Sequence, residues 1–370
     1  MSDNLQRYCI IRKSLRRLCT HEPKGRLAQH LNTLAHFVSG IVGSGKCQTS
    51  AIASKVPDGT KRQSRIRRYE RFLANEKIEP KTYFLPSVQT LLARLPPEPL
   101  ILVMDASEVG RGCMALVVSV VHKKRALPLC WLVVRGSKGH LGDAVHQNLF
   151  AEVKTLLSSE RAVVFLGDGE FNGAGLLRAI EAQGWQYVCR LPQNTLVREA
   201  GEEVKYLLSW LGVERGHVCE LPDVLFTGQD VGPVTRVAAG HQAYDAPLYL
   251  VTNLELWQEA YRYYKHRFRI ETFFSDQKSR GFFLCRSHLS DPKRLERLML
   301  ATCLAYLWMV CLGDAVVENS KLPLLHRTKR CDLSLFQIGL LWIEHCLNED
   351  LPLPFLLSPR PATKYFKSVG

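Results

Sequence analysis

LILVMDASEVGRGCMALVVSVVHKKRALPLCWLVV, residues 100–134, decides the fold. Three apolar runs stand out in it, at 100–105, 113–121 and 126–134, and the basic turn His122–Arg125 joins the last two. They read as three buried strands in antiparallel succession. Further on, a helix is expected over 143–158, a strand over AVVFLGD (162–168), a helix over 174–183 and a strand over WQYVCRL (185–191). The order β-β-β-α-β-α-β predicts an α/β fold built on a mixed sheet. Residues 192–246 break the pattern: they are rich in Gly, Pro, Val and charge, with short strand-like pieces such as GHVCELP and VTRVAAG, and read as a β-rich insertion. PLYLVTN (247–253) adds another strand, and one long helix is expected over Leu254–Ser279.

Working outward, RLPPEP (94–99) is a linker, and everything before it reads as helical. Leu27, Leu31, Leu34, Phe37, Val38 and Ile41 recur at helical spacing. A Gly/Ser break, a short helix near Ser50–Ser54, a Pro57-Asp58-Gly59 turn and a helix over 61–74 follow, a helix-turn-helix arrangement suited to DNA. The expected organisation is a basic helical DNA-binding domain (1–94), a catalytic core (95–191 and 247–290), the β-rich insertion (192–246) and a helical C-terminal region (291–370).

Charge supports this division. The net charge is +14, and residues 1–94 hold 18 Lys and Arg against 6 Asp and Glu, leaving only about +2 for the remainder. Lys61, Arg62, Arg65, Arg67, Arg68 and Arg71 crowd one helix with Glu70 as the counter-charge. Cations packed this densely repel one another unless a polyanion meets them, so they are candidate phosphate contacts. The 12 Cys include no Cys-x-x-Cys and are scattered through apolar runs, as reduced thiols of a cytosolic protein would be. The start, MSDNLQRYCIIRKSLRR, has no signal-peptide core, and LMLATCLAYLWMVCL (298–312) is shorter than a bilayer requires and reads as a buried core helix.

The candidate chemistry lies in three carboxylates. Asp105 is expected at the end of the first apolar strand and Asp168 at the end of the fourth, and such strand ends can lie side by side in a mixed sheet. On the long helix, taking Tyr264 as zero and about 100° per residue, Arg267 falls near 300°, Glu271 near 340° and Lys278 near 320°. Those four share a stripe, with Ile270, Phe273 and Phe274 on the neighbouring apolar face and Asp276 pointing away. An Arg267–Glu271 pair would add only a few tenths of a kcal/mol to an exposed helix, a weak reason to set these groups beside an apolar face.

Tyr264-x2-Arg267-x3-Glu271-x6-Lys278 resembles the Tyr-Arg-Glu-Lys signature of bacterial insertion-sequence transposases with a DDE active site. MDASEV (104–109) resembles the family's first-Asp block and FLGDGEFNGAGLLRAIEAQGWQYVCRL (165–191) its second, with Gly169-Glu170 where Arg-Gly is commoner. The resemblance spans about residues 25–310. It implies a ribonuclease-H-like core split by the insertion. It further implies cut-and-paste DNA transposition by Asp105, Asp168 and Glu271 holding two Mg²⁺ (Mn²⁺ substituting), with Tyr264, Arg267 and Lys278 on the phosphates near the scissile bond. Double-stranded DNA, at element ends and target, would be the partner, bound by a homodimer in the bacterial cytoplasm at the nucleoid, with no membrane involved. A Trp in the insertion stacks on a flipped base in some relatives; Trp210 and Trp257 are the candidates. Two other readings stand beside this one: a catalytically silent DNA-binding derivative, and another ribonuclease-H-like nuclease. Gly40-x4-Gly45-Lys46 resembles a phosphate-binding loop but has Cys47 where Ser or Thr is needed, and it follows a helix rather than a strand.

Overall fold

The computed structural model describes residues 2–137, 139, 141–226, 231–234, 246–327 and 331–359. His140 and most of the VTRVAAG piece lie outside the described residues. Five helices come first: α1 (Asp3–Arg17), α2 (Gly25–Ser44), α3 (Thr49–Ser54), α4 (Arg62–Ala74) and α5 (Pro80–Leu92). The apolar face of α2 meets α4 through Phe37, whose ring lies 5.0 Å from Tyr69 and 5.4 Å from Phe72. The two glycines of the phosphate-loop look-alike have packing roles. A Cβ on Gly40 would come within 2.5 Å of Ile52 on α3, and Gly45 takes the left-handed conformation (φ 63°) that ends α2.

The sheet follows: β1 (Leu100–Gly110), β2 (Cys113–His122), β3 (Arg125–Arg135), α6 (Asp143–Leu156), β4 (Val163–Gly167), α7 (Ala174–Glu181) and β5 (Gln186–Arg190). The insertion supplies a second sheet from β6 (Leu196–Glu199), β7 (Tyr206–Leu207), β8 (Val224–Phe226) and β9 (Val231–Val234). The chain then returns through β10 (Leu250–Thr252) to complete a six-stranded sheet in the order β10-β5-β4-β1-β2-β3. β1 to β3 run antiparallel, β4 lies parallel to β1 and β5 parallel to β4. An antiparallel triplet extended by parallel strands from its first member is the ribonuclease-H-like arrangement. The central strands are apolar almost throughout because helices cover both faces.

Two expectations about local structure need correction. β1 does not stop at Asp105. It continues to Gly110 because its β2 edge stays paired from Leu102↔Val120 to Gly110↔Cys113. Only the other edge ends early, at Val103↔Leu166 against β4. The single long helix is two, α8 (Trp257–Tyr264) and α9 (Arg269–Gln277), separated by a turn at 265–268 that contains Arg267. The bonds Arg267 N–H to Tyr264 C=O and Glu271 N–H to Phe268 C=O tighten that turn to three-residue spacing, so a uniform helical wheel does not apply across it.

α10 (Pro292–Glu318) is a central strut, and α11 (Leu335–Asn348) packs along it. By length and composition α10 could cross a membrane, but 94% of its most apolar window is buried inside the protein. Its Arg297 donates from Nε to the Ile78 carbonyl (3.0 Å) and from Nη1 to the Leu73 carbonyl (2.9 Å), binding the C-terminal end of α4 to the core. Its Glu296 accepts the Val133 N–H of β3 at 3.0 Å. Helical arm and sheet therefore dock on the same helix.

Candidate active site

The parallel register brings the two aspartates together. Continued two residues past Val103↔Leu166, it sets Asp105 opposite Asp168, just where the β1–β4 ladder opens. Asp105 is 2% exposed, and its Oδ1 accepts the Ala106 N–H at 2.8 Å. Asp168 starts a tight turn: its Oδ1 accepts the Glu170 N–H at 3.0 Å and its carbonyl the Phe171 N–H at 3.0 Å. Asn172 bridges this turn to β5 through the Gly169 and Arg190 carbonyls at 3.1 and 3.0 Å. Asp105 thus turns Oδ1 onto its own strand and Asp168 onto its own turn, and both bring Oδ2 within 4 Å of Arg267.

Arg267 lies among the acids. Its Nη1 is 3.7 Å from Asp105 Oδ2 and 3.8 Å from Asp168 Oδ2, and its Nη2 donates to Glu271 Oε1 at 2.7 Å. The guanidinium is buried (Arg267 is 7% exposed) and sits 4.4 Å from the Phe268 ring centroid. Glu271, at the start of α9, is the open side of the group, its side chain 55% exposed. Lys278, at the far end of α9, donates from Nζ to Ser107 Oγ at 2.5 Å, two residues beyond Asp105 on β1. Tyr264 is packed rather than displayed: it is buried, edge-to-face with Phe268, and burial pushes its phenol up to about 12.

The donor set is all carboxylate oxygen, the hard ligand type that Mg²⁺ and Mn²⁺ accept. Among the described residues no three His, Cys, Asp or Glu side chains approach closely enough to cage a metal. The three acids are spread around the guanidinium, which supplies positive charge at their common centre. The donor chemistry fits divalent ions, and Arg267 stands between the three carboxylates.

Two supports of the site were not read from the sequence. Arg125, at the start of β3, donates from Nη1 to Asp276 Oδ2 at 2.7 Å, clamping the end of α9 to the sheet. Burial pushes the Asp276 carboxyl up to about 6, with Arg125 and Arg280 only partly opposing it. His146, buried on α6, has its Nε2 4.0 Å from Glu170 Oε1 and its ring 4.8 Å from Phe171, backing the Asp168 turn. Burial lowers the His146 pKa. No sequence signal couples 125 with 276 or 146 with 170; only the Gly169-Glu170 departure marks the second pair.

The basic helix divides into two sets. Lys61, Arg62, Arg67 and Arg71 are exposed, whereas Arg65 and Arg68 are half-buried. Arg65 donates to the Val56 carbonyl at 2.8 Å, and Arg68 pairs with Asp58. These two fix the turn before α4. The tryptophans divide as well: Trp257 is buried and stacked on Tyr261, while Trp210, in the insertion, is 72% exposed.

The family described as "Transposase DDE domain" matches residues 96–308, which begin just before β1 and run into α10. The piggyBac transposase, solved by cryo-EM in a synaptic complex with hairpin DNA, is similar over 95% of this chain and 80% of that chain, with 11% identity and a TM-score of 0.45. No curated protein matches the chain in sequence. With more than half its length matched, from the first strand of the sheet through the helix bearing Glu271, the chain belongs to the transposase DDE domain family.

Proposed function

We propose that the chain is a metal-dependent DNA transposase of the Tyr-Arg-Glu-Lys group, encoded by a bacterial mobile element and acting in the cytoplasm at the nucleoid. It cleaves phosphodiester bonds at the element's terminal inverted repeats and joins the 3′-OH ends to target DNA. The observation that carries this reading is the meeting of Asp105, Asp168 and Glu271, distant in the chain, around one guanidinium. When bound, two Mg²⁺ or Mn²⁺ ions supply Lewis acidity to the attacking and leaving oxygens of an in-line displacement.

The chain's own residues do the remainder. Asp105 and Asp168 offer their Oδ2 atoms from a rigid sheet, and Glu271 offers its carboxylate from the solvent side. Arg267 and Lys278 hold phosphate oxygens beside the scissile bond, the first through a planar fork and the second as a point charge. Tyr264 shapes the wall behind them. The exposed Lys61, Arg62, Arg67 and Arg71 meet the duplex backbone, and exposed Trp210 is available to stack on an unpaired base. Two copies act on paired ends.

The test uses purified protein, a duplex carrying the element's inverted repeat, and Mg²⁺. D105N, D168N and E271Q should each lose cleavage while still shifting the duplex on a native gel. Cutting by E271Q at the wild-type rate would refute the assignment. Shifting without cutting by the wild type, in any metal, would favour a silent DNA-binding derivative.

A further inference from the structure

We propose that Arg267 is the resting site's own cation: it neutralises the three carboxylates while no divalent ion is bound and passes to a DNA phosphate when ions load, making metal and DNA binding mutually dependent. This rests on the reading of Asp105, Asp168 and Glu271 as the metal-binding acids.

Three observations support the exchange. First, burial makes a cation necessary. Asp105 is almost fully buried and Asp168 largely so, and carboxylates gathered out of water without a counter-charge are strongly destabilising. Arg267 comes within 4 Å of a carboxylate oxygen on each of the three. Second, its hold is loose. Only the Glu271 contact is a hydrogen bond; the approaches to Asp105 and Asp168, at 3.7 and 3.8 Å, are longer than hydrogen bonds and rest on charge alone. Its Nε is buried with no hydrogen-bond partner among the described residues. A guanidinium held mainly by charge yields readily to a stronger charge. Third, a route exists. The strongest contact is to Glu271, whose side chain is half exposed, and the guanidinium already lies on Phe268, itself partly exposed in the turn between α8 and α9.

A divalent ion ligated by the same oxygens would sit within a few ångströms of the guanidinium, and like charges at that range repel strongly where water is scarce. Arg267 must therefore yield the centre. Its planar donor fork suits a phosphate as well as a carboxylate. With DNA absent the displaced charge has no partner, so ions bind poorly. With DNA present the phosphate receives it. By linkage, each ligand then raises the other's affinity by the same factor.

The experiment measures binding, with free Mn²⁺ read by electron paramagnetic resonance on the full chain, with and without a short blunt duplex. R267Q should bind Mn²⁺ without duplex about tenfold or more tighter than the wild type, a coupling of ordinary size. The duplex should tighten wild-type Mn²⁺ binding by a comparable factor and R267Q by much less. Equal Mn²⁺ affinity of R267Q and wild type, with D105N abolishing binding in both, overturns the exchange but leaves the metal site standing. Mn²⁺ binding indifferent to D105N and D168N removes the site reading itself. Should R267Q fail to fold, the wild type decides: identical Mn²⁺ affinity with and without duplex overturns the proposal.

Discussion

Replacing Arg125 by Met tests how the Glu271 helix is held. The Arg125–Asp276 pair joins β3 to the end of α9 at 2.7 Å, with side chains only 11% and 5% exposed. Removing Arg125 leaves a buried carboxylate opposed only by the more distant charge of Arg280, and breaking such a pair costs on the order of 3–5 kcal/mol. R125M should therefore lose that much stability at pH 8, read by urea unfolding. The loss should shrink toward pH 5. Burial already lifts the folded carboxyl of Asp276 to about 6 from an ordinary 3.8, so the proton is held more tightly in the folded state. The stability this group contributes is full below pH 3.8 and is lost as pH rises through about 6. A shift of roughly two units corresponds to about 3 kcal/mol over that window. Without Arg125 the carboxyl rises further and the window moves to higher pH. Replacing both partners, in R125M/D276L, should recover most of the loss, because apolar groups of similar volume fill such sites with little penalty. A loss below about 1 kcal/mol for R125M, or one independent of pH between 5 and 8, would refute this account of the clamp.

Further outcomes follow from burial and partners. R297M keeps most of the side-chain volume but strands the Leu73 and Ile78 carbonyls, so urea unfolding should show a loss of about 2–4 kcal/mol. W210A, at an exposed position, should change stability by less than about 0.5 kcal/mol while weakening binding to a duplex with an unpaired base by about 1–3 kcal/mol in fluorescence titrations. R67A and R71A should each reduce the salt dependence of duplex binding, lowering the log–log slope by about 0.9. R68A should instead lower the melting temperature, because Arg68 pairs with Asp58 within the protein.

The sequence by itself determined the sheet. Its strands lie within a few residues of the apolar runs, because a strand buried on both faces must be apolar along its whole length and that is visible locally. The apolar run of α10 was legible as well, but the helix is 27 residues, long enough for a bilayer, and only its burial inside the protein marks it as a core helix. Asp105, Asp168 and Glu271 were legible as candidates from spacing and resemblance. Tertiary structure decided what spacing cannot express. Strand edges are separate objects, so β1 continues on its β2 side past Asp105 while its β4 side opens there. The turn at 265–268 takes Arg267 off the helical wheel and sets it among the acids, an arrangement that depends on two strands and two helices at once. Arg65 and Arg68 look like Arg67 and Arg71 in sequence, and only the packed turn beneath them turns two inward. Local composition records how much water a segment must avoid; which charges end up facing one another depends on contacts between segments that no local stretch contains.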